Sequence, residues 1–268
     1  MNDSLKEDYS TLDHPEIAVC MFYPRPESKM ADTSVFAQDV LIPVDKGINI
    51  GARFHMSKSA GGNVVFFHGN GEIVADYDEL GPVYNRMGIN FIAVDYRGYG
   101  RSNGTPGVSW MLNDSHAIFR FIRQWLKTNG YTGPLIIMGR SLGSASALEL
   151  AACYNRDIGG LIIESGFAYT LALLKVLGVR VASLKLTEEN GFHHLEKIRV
   201  VDRPVLIIHA EWDHIIPFRD AQALYDACGA EDKQLLKIPE ANHNDILSCG
   251  FTAYMGAVKK ITDKAIHP

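Results

Sequence analysis

Hydrophobic residues along this chain come in short bursts separated by polar stretches, and the bursts change character once. The first 34 residues are polar, are punctuated by Pro15, Pro24 and Pro26, and read as a lead-in with breakers. Residues 35–44 and 48–55 then form two predicted strands, with Asp45-Lys46-Gly47 as the hairpin turn between them. Six runs follow at 64–67, 91–94, 135–138, 160–163, 205–208 and 234–238. They are short, nearly all apolar and free of alternation. A strand with no polar face must be covered on both sides, which marks a parallel strand between helical layers. The intervening segments, such as 111–128 and 220–227, carry helical spacing. The pattern predicts an α/β chain with a mostly parallel, doubly wound sheet, helices on both faces and right-handed crossovers. Chemistry in such sheets collects beyond the carboxyl ends of the strands.

One strand end stands out. Gly139-Arg140-Ser141-Leu142-Gly143 joins the apolar run 135–138 to the small-residue segment Ser144-Ala145-Ser146-Ala147. This is strand, tight turn, helix, with a serine at the tip. Side chains in place of the glycines would collide with the neighbouring strand and helix. The helix start supplies unpaired N–H groups and positive partial charge beside the serine. Ser141 is therefore the candidate nucleophile. Serine needs a base to take its proton, and the base needs a buried carboxylate to fix its tautomer. Asp213 follows the run 205–208, and His243 follows the run 234–238, so Ser141, Asp213 and His243 all fall just past strand ends, in that order.

Two further stretches extend the set. His68-Gly69-Asn70-Gly71 follows the first parallel run, and Asp95-Tyr96-Arg97-Gly98-Tyr99-Gly100-Arg101-Ser102 follows the second. With these, nearly the whole chain from Val35 onward resembles the α/β-hydrolase superfamily. The likeness is to its small-capped branch, near serine aminopeptidase and monoacylglycerol lipase-like enzymes and ABHD-type depalmitoylases. The resemblance implies an α/β-hydrolase fold with an oxyanion hole made by the backbone N–H groups of Asn70 and Leu142. The chain departs from the family pattern at Asn242, where glycine is common before the base. It departs again at Ala210-Glu211-Trp212, where glycine and a small polar residue are common before the acid.

Glu164, at the end of the run 160–163, is the rival acid; Asp213 is preferred because it lies in the usual order and loop. Asp245 is expected to cap the next helix or orient its loop, Glu211 to be a solvated neighbour, and His68 and His214 to be structural. His193-His194 lacks any accompanying metal-ligand spacing. Gly98-Tyr99-Gly100 fails as a dinucleotide loop, because Gly104 lies four residues on, where three are required. No P-loop is present, so neither a cofactor nor a metal is expected. A serine at 141 also argues against the aspartate-nucleophile dehalogenase and epoxide-hydrolase chemistries.

At 268 residues and 47% hydrophobic, the chain is expected to form a single domain over 1–268. Residues 166–201 fall between two core strands and are too long for a tight connection. Their surplus of apolar side chains predicts a small lid, with Phe167, Leu173, Leu177 and Trp212 as substrate-binding residues. Within it, residues 167–184 are apolar but contain Lys175, Gly178 and Arg180, which opposes a membrane span. A net charge of −5 without a basic stripe opposes a nucleic-acid partner. Cys20, Cys153, Cys228 and Cys249 show no pairing pattern, and the charged N-terminus has no apolar core, so a reducing cytoplasmic setting is the expectation. No oligomeric state follows. The expected function is a serine hydrolase cleaving a small-molecule ester or thioester with an apolar acyl group through an acyl-enzyme. The alternatives are an amidase or peptidase of the same fold, or a binding protein that has kept the fold without turnover.

Overall fold

The structure is a computed structural model that describes residues 8–28 and 37–267. Among the described residues, eight strands form one sheet: β1 (Ala37–Asp45), β2 (Ile48–His55), β3 (Asn63–Phe67), β4 (Asn90–Val94), β5 (Leu135–Arg140), β6 (Gly160–Glu164), β7 (Val205–Ala210) and β8 (Lys233–Ile238). Their spatial order is β1-β2-β4-β3-β5-β6-β7-β8. The β1–β2 and β2–β4 pairs are antiparallel, and the five others, from β4–β3 to β7–β8, are parallel. Every residue of β3, β4, β5, β6 and β7 is buried, as the absence of alternation anticipated. The expected first strand begins at Ala37 among the described residues; Val35 and Phe36 lie outside them.

Eight α-helices accompany the sheet among the described residues: α1 (Pro15–Met21), α2 (Leu80–Arg86), α3 (Val108–Thr128), α4 (Gly143–Cys153), α5 (Thr170–Val176), α6 (His194–Arg199), α7 (Phe218–Ala227) and α8 (Ile246–Ile266). Successive strand residues send their side chains to opposite faces. Val65 and Phe67 join one apolar layer with residues of α1, α3, α4, α6 and α7, whereas Val64 and Phe66 join the other with residues of α2 and α8. No helix among the described residues is long and apolar enough to cross a membrane. The apolar stretch 167–184 yields only the seven-residue α5 and turns.

The lead-in differs from expectation. Pro15 starts α1 instead of breaking structure, because the first helical position needs no N–H and accepts the fixed proline φ. The His14 ring Nδ1 accepts from the Glu16 N–H at 3.2 Å and caps the helix. Ile17 and Met21 are buried in the main core. The N-terminal segment is also pinned by charge. Tyr9 Oη donates to Glu149 Oε2 at 2.9 Å, Lys197 Nζ lies 2.7 Å from the same carboxylate, and His116 Nε2 lies 3.3 Å from Glu149 Oε1.

Burial alone would raise the Glu149 pKa, but the bonds and charge from His116, Lys197 and Tyr9 outweigh it and bring the value down to about 2. A folded-state pKa below the unfolded one adds stability that is complete above about pH 4.5 and drains away as pH falls toward 2. At about 1.4 kcal/mol per pKa unit, the contribution at neutral pH is on the order of 3 kcal/mol. Glu149→Gln is therefore expected to melt several degrees lower at pH 7, with the gap to wild type narrowing from pH 5 to pH 3 in a thermal-melt series. A gap that stays constant across that range would assign the contribution to packing instead of charge.

Candidate active site

β5 ends in the glycine-flanked turn, and the local geometry explains both glycines. A Cβ on Gly143 would lie 2.0 Å from the Phe67 carbonyl oxygen, and one on Gly139 would lie 2.3 Å from the Gly143 carbonyl oxygen. With the strand and helix packed backbone to backbone, the chain turns in the left-handed region at Ser141, φ 50°. The turn is held by Ser141 N–H donating to the Glu164 carbonyl at 2.9 Å, and by the N–H and hydroxyl of Ser144 donating to the Ser141 carbonyl at 3.0 and 2.6 Å.

The structure brings Ser141, His243 and Asp213 into one hydrogen-bonded chain. His243 Nδ1 is 2.7 Å from Asp213 Oδ2, and its Nε2 is 3.0 Å from Ser141 Oγ. The carboxylate can only accept, so the imidazole proton belongs on Nδ1, and Nε2 is left to accept from the serine hydroxyl. Asp213 Oδ1 accepts from the N–H groups of Ile215 and Ile216 at 3.0 and 2.8 Å. Burial pushes the Asp213 pKa up, but the hydrogen bond and charge of His243 and the Ile216 N–H overcome it and hold the carboxyl below its ordinary value.

A cavity of about 220 Å³ opens on Ser141 and His243 and is lined by Met21, Asn70, Leu142, Leu173, Leu177 and Ile215 among others. Neither the Asn70 nor the Leu142 backbone N–H donates to any described residue. The Asn70 side chain is fixed by accepting from Tyr23 N–H and Tyr99 Oη, both at 2.7 Å. Of the residues expected to touch substrate, Leu173 and Leu177 line this cavity. Phe167 is fully buried and lines an adjoining cavity of about 490 Å³, which shares Leu173 and Ile215 with the first. Trp212 lines neither cavity and is 62% exposed. Its turn is fixed by Glu211 N–H on Ile238 O and Trp212 N–H on Ala241 O, which leaves the indole in solvent.

Glu164 is placed differently from Asp213. Its carboxylate accepts from Arg140 Nε at 3.1 Å and from Tyr254 Oη at 2.6 Å, and burial holds its pKa above the ordinary value against the Arg140 charge. His68 is fully buried, with Nε2 3.2 Å from Asp95 Oδ1. His214 Nδ1 meets Asn242 Oδ1 and so ties the acid loop to the base loop. Asp245 stands at the start of α8, but its carboxylate accepts from the Asn242 N–H and does not cap the helix backbone. His194 is buried, bonds the Phe167 carbonyl at 2.6 Å, and has its pKa lowered by burial to about 3, so it is neutral.

His209 and Glu72 carry no motif, and Arg140 is only the unspecified position before the serine of the turn, so the contacts of all three escape a reading of the sequence. His209 Nε2 faces the Ile216 carbonyl at 2.7 Å and lies 3.5 Å from Asp213 Oδ2. Among the described residues, one group places three metal-type donors together: His116, Glu149 and Cys153. The Lys197 ammonium already supplies a cation to that carboxylate.

This fold and site define an α/β-hydrolase. The chain belongs to the serine aminopeptidase S33 family, whose model matches residues 58–196. Rv2307c of Mycobacterium tuberculosis is 30% identical over 214 residues, 78% of this chain and 73% of its own length. YfhR of Escherichia coli K12 is 26% identical over 241 residues, covering 87% of this chain and 83% of its own. Among solved structures, the Pyrococcus furiosus esterase Pf2001 superposes with a TM-score of 0.72 at 17% identity, over 92% of this chain and 98% of that one. A soluble variant of Saccharomyces cerevisiae monoglyceride lipase, in complex with a substrate analogue, gives 0.67 at 19%, over 90% and 98%. At those identities the likeness is one of fold.

The packing at the turn makes a sharp contrast testable. Gly143→Ala must displace the Phe67 carbonyl and is expected to cost about 3 kcal/mol in denaturant unfolding, within the usual range for overpacking. At Gly256, inside α8, an added Cβ would meet nothing within 4 Å, and Gly256→Ala is expected to gain about 0.5–1 kcal/mol. Equal effects at the two sites would refute the close-packing account.

Proposed function

We propose that this protein hydrolyses a carboxylic ester or thioester through an acyl-enzyme on Ser141. The observation that carries the reading is the Ser141–His243–Asp213 chain, with contacts of 3.0 and 2.7 Å, at the edge of a cavity walled in part by Met21, Leu173, Leu177 and Ile215. In this scheme His243 Nε2 takes the Ser141 proton as Oγ bonds to the acyl carbon. The carbonyl oxygen becomes an oxyanion facing the N–H groups of Asn70 and Leu142. When the tetrahedral species collapses, the bond to the leaving oxygen or sulfur breaks and His243 returns the proton to it. Water repeats the sequence, releasing the acid and restoring Ser141. Asp213 holds the Nδ1–H tautomer and stabilises the transient imidazolium. The esterase and lipase among the structural neighbours act on bonds of this class by their names, which supports the same reading here.

The whole chain is read as one hydrolase domain, with residues 166–201 as its lid. α5 contributes Leu173 to both cavities, and the larger cavity beyond Leu173 and Ile215 is walled by Phe167, Val176 and Pro217. An acyl chain leaving Ser141 in that direction meets these apolar side chains, although Lys175, Glu188, Arg219 and Asp220 line the same cavity.

Ser141→Ala is expected to fold, to lose fluorophosphonate labelling and to lose nearly all turnover of p-nitrophenyl esters. Wild-type turnover in that variant would end the proposal. Asp213→Asn is expected to lower kcat by about 10⁴-fold through the wrong histidine tautomer, and Glu164→Gln by far less, since an amide can still accept from Arg140; the reverse order would transfer the role of acid to Glu164.

Each buried methylene adds about 0.8 kcal/mol of transfer free energy. Specificity constants are therefore expected to climb with acyl length and then level off, and Leu177→Asp to flatten the climb while Ser141 still reacts with a small probe. A length profile that is flat in the wild type would remove the lid from the acyl site.

A further inference from the structure

We propose that Arg140, the residue between the glycine and the serine of the turn, is the positioning residue that holds the oxyanion loop and the base loop in register with Ser141. The inference rests on the reading of Ser141 and His243 given above. Arg140 closes β5, and its side chain is only 10% exposed. Its guanidinium has five donors in a rigid plane, and they reach three separate parts of the chain. Nη2 donates to the His243 carbonyl at 2.8 Å, on the loop after β8, and lies 3.4 Å from Asn244 Oδ1. Nη1 pairs with Glu72 Oε1, on the loop after β3. Nε donates to Glu164 Oε1 at 3.1 Å, at the end of β6.

Glu72 carries the connection onward. Its Oε2 accepts from the Gly69 N–H and from Tyr77 Oη, both at 2.6 Å, and Gly69 immediately precedes Asn70. The path from the base to the oxyanion loop thus runs through His243 O, Arg140, Glu72 and the Gly69 N–H, without a gap. A Cβ on Gly69 would lie 2.6 Å from Arg140 Nη1 and 2.9 Å from Glu72 Oε2, so the loop lies directly against this ion pair. The anchor of the path is the turn itself, because Ser141 is the next residue and its N–H is held by the Glu164 backbone. Glu164 is thereby occupied: its backbone holds the serine, and its side chain holds the arginine.

A lysine at 140 offers one ammonium in place of a planar fork and cannot span the three acceptors. A methionine offers no donor. Misplacing reacting groups by about 1 Å can cost on the order of 100-fold in rate. Arg140→Met is expected to lower kcat by about 100-fold with KM within a factor of about three, and Arg140→Lys to fall between Met and wild type. Hydrogen–deuterium exchange on the same proteins gives a readout independent of turnover: Arg140→Met is expected to speed exchange in residues 68–73 and 240–246 together.

Wild-type kcat in Arg140→Met overturns the proposal. So does a loss confined to KM, which would make Arg140 only a wall of the cavity. Exchange that speeds in one loop but not in the other overturns it too. Should Arg140→Met not fold, Arg140→Lys and Glu72→Gln decide by the same three measures. If wild type shows no Ser141-dependent turnover, the functional reading fails, while the exchange result still decides whether Arg140 couples the two loops.

Discussion

The approach of α4 to the carboxyl ends of β3 and β5 is the constraint on which the site depends. Gly143 rests against the Phe67 carbonyl, and Gly139 against the Gly143 carbonyl, at separations that admit no side chain. A helix this close to its own strand leaves no room for an ordinary connection, so the chain must reverse at Ser141 in the left-handed region. That conformation costs a non-glycine residue about 1–2 kcal/mol, offset by the three hydrogen bonds that clasp the Ser141 backbone. The same geometry lifts the serine hydroxyl above the sheet and leaves the Leu142 N–H at the open start of the helix. The run of Ser144, Ala145, Ser146 and Ala147, all buried, follows from the same demand, since larger residues would push the helix away. Strain recurs along this edge of the sheet: Ser165 and Glu240 also take positive φ directly after or near the ends of β6 and β8.

Buried arginines tie segments that are distant in the chain to one another. Arg53, fully buried, holds Asp39 across the β1–β2 hairpin, Asp78 before α2 and Glu27 of the N-terminal segment. Arg97 grips Asp114 of α3 through two bonds, at 2.6 and 2.8 Å. Arg140 does the same for the loops around Ser141. Such pairs add little net stability, because desolvation takes back most of the Coulomb attraction, yet removing one partner strands the other at a cost of about 3–5 kcal/mol. Their effect is to make alternative loop arrangements expensive.

This division explains what could be read from the sequence. The central strands were legible because each is a local apolar run with a single structural solution. The serine turn was legible because five adjacent residues carry it. Asp213 and His243 were picked out by position, each just past an apolar run read as a strand, and the structure brings them together with Ser141. α1 was not, since Pro15 carries opposite meanings at the start and in the middle of a helix, and only the packing of Ile17 and Met21 distinguishes them. Trp212 was misplaced for a related reason: proximity to Asp213 in sequence says nothing about which side of a turn faces the cavity. Arg140, Glu72 and His209 depend on contacts between residues far apart in the chain. Arg140 and Glu72 are separated by 68 positions, and no local pattern marks that pairing.

The two buried carboxylates at neighbouring strand ends show how surroundings, not residue type, sort the candidates for the acid. Asp213 and Glu164 are both almost wholly removed from water, and burial pushes both pKa values upward. At Asp213 the push is overcome, because one oxygen accepts two backbone N–H groups and the other accepts from the imidazole, so every nearby donor stabilises the anion. At Glu164 it is not, because its one strong cation is shared with Glu72 and a second carboxylate nearby opposes its ionisation. A group that is to stabilise an imidazolium must itself remain charged as the imidazole gains its proton, and the donors around Asp213 favour that state, whereas burial around Glu164 works against it. Geometry agrees: the imidazole Nδ1 addresses Asp213, while Arg140 and Tyr254 take up Glu164. The arginine that donates to Glu164 is the one that also donates to the His243 carbonyl, so a single side chain links the rival carboxylate to the backbone of the proposed base.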